Sequence, residues 1–198
     1  MKISKSEFKA RIEAAQNKLV SQEIEALIVS QEEDIYYLTG LTFKSLERLF
    51  LLVIRENEIT FIVPMMELSH LKHIDNVTSI KPYWEYPAQK PERWEDILFE
   101  TLGSSKRIGI GSKSPFEIAD FLCSMDFKIQ KSEIIEELRW IKSKAEIELI
   151  KSSARYCDDI IAKLNSMIYY GMTELEVFSL GSKMQQRLIK ETDFDYLA

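Results

Sequence analysis

The sequence predicts an α/β fold: a three-layer domain with a mixed β-sheet flanked by helices over residues 1–131, then a helical extension over 132–198. Three observations carry this. Short apolar runs alternate with segments of helical spacing, the pattern of a sheet layered by helices. Two of those runs, Leu49 to Ile54 and Ile59 to Val63, are separated only by a turn near Glu56-Asn57, so one pair is an antiparallel hairpin and the sheet is mixed. After Lys131 the strand signals stop and helical periodicity continues alone.

Each element has a local cause. Ser4 and Glu7 cap an opening helix to about Ser21, with Phe8, Ile12, Ala15 and Leu19 on its buried face. Ala26 to Val29 is wholly apolar, the mark of a strand covered on both faces. A short helix ends at Gly40, the hairpin follows, and Pro64 ends its second strand. A helix is expected around Met66 to Lys72 and a strand near Val77 to Ile80. The loop Pro82 to Pro91 leads into a helix over Glu92 to Leu102. Arg107 to Ile110 reads as a strand. Ser114-Pro115-Phe116-Glu117 reads as a helix start with Ser as N-cap and Pro at the first position. Phe127 to Gln130 is the last expected strand.

The extension begins with a capping box, Ser143 and Glu146, and stops at Gly171; Thr173 and Glu176 repeat the box, so a second helix runs to about Lys190. Ile147, Ile150, Ala154, Cys157, Ile161, Leu164 and Ile168 recur in 3-4 alternation, a stripe about 30 Å long at 1.5 Å per residue. Leaving such side chains in water forgoes about 1.5–3 kcal/mol each. The stripe therefore demands a cover, and self-association of these helices is one expectation.

The net charge of −6 argues against a nucleic-acid partner, which needs a concentrated basic face. The start lacks the apolar segment of a signal peptide, and the longest strongly apolar run is too short to span a bilayer, so a cytoplasmic protein with no membrane partner is expected. Cys123 and Cys157 lack metal-type spacing and read as buried, reduced thiols.

No catalytic or metal site is expected in this chain. His70 and His73 stand three apart, but Glu67 alone does not complete a metal set, and they read as surface or packing histidines. Gly109-Ile110-Gly111-Ser112-Lys113-Ser114 follows a strand and precedes a helix, yet Ser112 stands where a phosphate loop needs Gly before its Lys, so it reads as a tight turn. Glu136, Glu137, Glu146 and Glu148 read as solvated faces and caps, and Asp158-Asp159 as solvent-facing or interfacial. Tyr83, Trp84 and Tyr86 crowd a loop between prolines. They either serve contacts with a partner chain or apolar ligand, or fold back over the sheet edge. Tyr36 and Tyr37 pose the same alternative, with at least one expected in the core.

The run Arg139-Trp140-Ile141-Lys142-Ser143-Lys144-Ala145-Glu146-Ile147, followed by Gly171-Met172-Thr173-Glu174-Leu175-Glu176, resembles the entrance to the catalytic domain of the pita-bread metallopeptidases: Xaa-Pro dipeptidases (prolidases), aminopeptidase P and creatinase. Asp34-Ile35-Tyr36-Tyr37-Leu38-Thr39-Gly40-Leu41 is similar to a signature of their amino-terminal domain, and Arg107-Ile108-Gly109-Ile110 to its later strand. The resemblance implies a creatinase-type amino-terminal domain plus the first two helices of a pita-bread domain. It also implies that the ligands of two divalent ions, Mn, Co or Zn, lie beyond Ala198 in a longer parent acting on short proline-containing peptides. The expected role is then a non-catalytic, cleft-capping and dimerising portion, inactive alone and forming a homodimer, with Tyr36, Tyr37, Tyr83, Trp84 and Tyr86 as candidates for a cleft rim or interface. The alternative is a non-enzymatic interaction module related to the pita-bread proteins.

Overall fold

β1 (Ala26–Val29) is buried at all four positions, so it must be covered from both sides. Alternation along the strand sends Leu27 and Val29 into one core and Ala26 and Ile28 into the other. The computed structural model describes residues 3–71 and 74–191, which fall into two compact units, Ile3–Ile141 and the part from Lys142 onward.

In the first unit α1 (Lys5–Ser21) starts at Ser4, whose hydroxyl accepts from the Glu7 N–H, and buries Ile12, Ala15 and Leu19 as the spacing required. α2 (Glu32–Thr39) closes on Gly40 at φ +73°. A Cβ there would sit 2.7 Å from the Phe8 ring, so both conformation and space call for glycine. β2 (Leu51–Ile54) and β3 (Ile59–Pro64) form the hairpin, antiparallel, with Ile54 opposite Ile59. β4 (Ser79–Tyr83) runs parallel to β3; α3 (Trp94–Leu102), β5 (Arg107–Gly111), α4 (Phe116–Ser124) and β6 (Lys128–Ser132) follow. The sheet order is β4-β3-β2-β1-β5-β6, and pairing is antiparallel only on the two sides of β2. The fold is thus the mixed, helix-flanked sheet that the sequence predicts. α1, α2 and α5 (Ile134–Trp140) pack together beside one core; Leu98 and Leu102 of α3 and Ile118 and Leu122 of α4 enter the other.

α5 is fastened to the first unit by three polar links. Lys18 Nζ meets Glu137 Oε2 at 2.5 Å, the Tyr37 hydroxyl donates to the Leu138 carbonyl at 3.1 Å, and Arg139 pairs with Asp34. Ile134 and Ile135 are buried in the same core, so this unit continues past the sheet's last strand to Ile141.

The second unit is a helix pair, α6 (Lys144–Met167) and α7 (Glu174–Glu191). Both capping boxes form: Glu146 N–H to Ser143 Oγ at 3.1 Å with Ser143 N–H to Glu146 Oε2 at 2.8 Å, and Glu176 N–H to Thr173 Oγ1 at 3.3 Å with Thr173 N–H to Glu176 Oε2 at 2.7 Å. α6 ends at Met167, four residues before Gly171, which takes φ +97° in the connection.

Four local expectations are corrected. The helix around Met66 is only the 3-10 turn Met65–Glu67: Leu71 is buried but Met66 is exposed, so no apolar face anchors a full helix, and Lys72 lies outside the described residues. The next strand begins at Ser79 and runs through Pro82 to Tyr83, because an outermost strand tolerates a missing N–H. Ser114 does not cap α4; Pro115 holds the N-cap position, and the Ser114 hydroxyl instead lies 3.3 Å from that of Ser30. Cys123 and Cys157 are exposed, not buried. On α6 the apolar stripe is bare at Ile147, Ile150 and Ile161, which are 40%, 54% and 57% exposed.

Candidate functional site

The five aromatic residues separate into buried and exposed members. Tyr37 is buried; its ring lies 4.2 Å from the Arg11 guanidinium carbon and its carbonyl accepts from Arg11 at 2.8 Å. Tyr36, the next residue on α2, is 44% exposed. Tyr83 ends β4 inside the core, whereas Trp84 and Tyr86 just beyond it are 50% and 95% exposed. Tyr36 and the Trp84–Tyr86 loop stand on different elements.

The loop is held by charge. Arg48 meets Glu67 at 3.2 Å and Glu85 at 3.1 Å, tying together the chain before β2, the turn after β3 and the loop after β4. His70 Nδ1 lies 2.8 Å from the other Glu67 oxygen. Within the loop, the Trp84 N–H donates to the Glu92 carbonyl at 2.8 Å. Tyr83 fixes its root: the hydroxyl donates to the Leu49 carbonyl at 3.1 Å and accepts the Leu49 N–H at 3.2 Å. Sequence reasoning missed Arg48, because nothing local to it announces two carboxylates arriving from distant turns.

Burial pushes the Tyr83 phenol up to about 12, against a counteracting hydrogen bond from Leu49. The ordinary value of 10 applies once the chain unfolds. The folded state therefore holds its proton more tightly, and this contribution is fully present below pH 10 and lost as pH rises through about 12. Tyr83→Phe should flatten that alkaline loss, while removing the two Leu49 hydrogen bonds at a cost of about 1 kcal/mol at neutral pH. Urea unfolding of both proteins at neutral pH and across this window measures each part.

The turn Gly109 to Ser114 is structural. The Ser114 N–H donates to the Gly111 carbonyl at 3.1 Å, Gln31 Nε2 donates to the Lys113 carbonyl at 2.7 Å, and a Cβ on Gly109 would meet Ile24 and Leu27 at 3.1–3.2 Å. A depression of about 810 Å³ lies at the opposite, amino end of β1 and β5, walled by Glu23, Glu25, Arg55, Glu58 and Arg107. These charges satisfy one another, Arg107 with Glu23 and Glu25, and Arg55 with Glu58. The Lys106 backbone N–H holds the Glu25 carboxyl below its usual range. None of the five aromatic residues lines it.

Among the described residues no group of three or more His, Cys, Asp or Glu is placed to hold a metal ion, and His73 lies outside them. No described helix is long and apolar enough to cross a membrane.

A mixed sheet covered on both faces, with loops knitted by ion pairs, defines a helix-flanked α/β domain. The chain belongs to the creatinase/prolidase N-terminal domain family, whose profile matches residues 11–141. It is 26% identical over 193 residues to an uncharacterized peptidase of Staphylococcus haemolyticus, covering 94% of this chain and 52% of that protein. It is 25% identical over 158 residues to an Xaa-Pro dipeptidase of Pyrococcus horikoshii, covering 78% and 41%. The crystal structure of a prolidase from Pyrococcus horikoshii superposes with a TM-score of 0.75 at 20% identity, over 90% of this chain and 48% of that one, a likeness of fold. The chain spans about half the length of the curated relatives it matches.

Proposed function

We propose that this chain is the amino-terminal, non-catalytic portion of an Xaa-Pro dipeptidase or aminopeptidase P-type metallopeptidase, that it caps the catalytic cleft and supports a homodimer in the cytoplasm, and that it is inactive alone. The observation that carries the reading is the family match over residues 11–141, joined to relatives of about twice the length. The exposed Trp84 and Tyr86, on a loop anchored by Glu85 to Arg48, suit a rim that meets short proline-containing peptides. The two divalent ions of such an enzyme find no fitting residues here: the described part of the chain gathers no set of three ligands.

The purified chain, supplied with Mn²⁺ and an Xaa-Pro dipeptide, should release no proline above the rate of buffer alone. Catalytic release that survives removal of contaminating peptidases would overturn the reading.

A further inference from the structure

The chain between β4 and α3 is closed on itself. The Trp84 N–H donates to the Glu92 carbonyl at 2.8 Å and the Glu92 N–H to the Gln89 carbonyl at 2.8 Å, so residues 85–91 form a lobe with its ends drawn together, in the manner of an Ω-loop. Both ends are fixed: Tyr83 is buried and bonded to Leu49, and α3 sends Leu98 and Leu102 into the core. Among the described residues, the pair of Glu85 with Arg48 at 3.1 Å is the one ion pair or hydrogen bond that ties this lobe to anything beyond its own neck.

Arg48 is placed to release one carboxylate and keep the other. Its Nε faces Glu85 and its Nη1 meets Glu67 at 3.2 Å, two separate prongs of one planar fork. Glu67 is engaged twice, through Oε1 by Arg48 and through Oε2 by His70, on the 3-10 turn that follows β3. Glu85 is engaged once. When the Glu85 pair opens, the guanidinium still has a carboxylate partner and Glu85 passes into water, so neither charge is stranded inside the protein. The Arg48 and Glu85 side chains are 27% and 32% exposed, which puts their pair near the weak, surface end of such interactions.

We propose that residues 84–92 are a strap and Arg48 is its catch: paired with Glu85 it holds the lobe and Tyr86 in place, and when that single pair opens the strap turns about its neck while Arg48 stays on Glu67. The strap is a property of the first unit and stands or falls apart from the rim reading of its aromatic residues.

Elastase, which cuts after small residues, reports the open strap in the full chain by cleavage between Ala88 and Gln89, away from every residue to be changed. Where reclosing outpaces cleavage, the rate follows the open population. Glu85→Ala and Arg48→Ala should each speed this cut about fivefold, read by mass spectrometry, with the urea midpoint of the unit unchanged for Glu85→Ala. The double variant should be cut no faster than either single one, because both remove the same pair. Glu67→Ala should be cut at the rate of the parent chain. High salt should speed the cut in the parent chain but not in Glu85→Ala, a comparison that needs no change at Arg48. An unaltered rate in Glu85→Ala overturns the catch. Faster cleavage matched by a lower urea midpoint makes the pair a staple of the whole unit, and equal acceleration by Glu67→Ala makes the three side chains one body; either result overturns the strap.

Discussion

Phe61→Ala should cost the first unit about 3–5 kcal/mol of folding stability. Phe61 sits in β3 with no exposed surface, its ring 6.2 Å from that of Phe43 and 6.1 Å from that of Phe50, and these two are 4.2 Å apart. Truncation removes a large apolar side chain and opens a space in a close-packed core. Phe61→Leu keeps most of the volume and should cost less than about 1.5 kcal/mol. Trp84, Trp94 and Trp140 are the only tryptophans and all lie in the first unit, so their fluorescence during urea unfolding reports it without interference from the helix pair. A loss below about 1 kcal/mol for the alanine variant would show that the aromatic cluster tolerates collapse.

Arg139→Ala should cost about 2–3 kcal/mol, less than a fully buried pair because the Arg139 side chain is 41% exposed. The Asp34 side chain is only 11% exposed, so losing its cation leaves a carboxylate with little access to water. Asp34→Ala removes the carboxylate itself. If the pair is what holds Asp34 in place, the double variant should be more stable than the sum of the single losses predicts, by about 1 kcal/mol or more. Strict additivity in the same urea experiment would show that the two side chains act independently. The predicted effect links sequence to topology: Arg139 lies in the run that resembles the entrance to a catalytic domain, yet its partner is on α2, 105 residues earlier.

What the sequence disclosed was local. Ser143 with Glu146, Thr173 with Glu176, Gly40 after α2 and the turn before Ile59 each act within a few residues, and each forms as expected. What it concealed depended on partners far along the chain. Tyr83 looked like part of an aromatic loop because Pro82 precedes it, but pairing with β3 extends β4 across the proline and buries the ring. Arg48 carries no signal until Glu67 and Glu85 converge on it. Cys123 follows Leu122, and one helical step turns it away from the core that Ile118 and Leu122 enter. The resemblance reached the fold and the family, while the aromatic residues it offered as candidates divided into core members, Tyr37 and Tyr83, and surface members, Tyr36, Trp84 and Tyr86.

The two outermost strands carry a further consequence. β4 contains Pro82, which has no N–H to offer, and β6 presents the exposed lysines Lys128 and Lys131. A proline and like charges at the rims are what prevent one sheet from templating the next. Fibril-type growth by strand addition is thereby disfavoured at both margins.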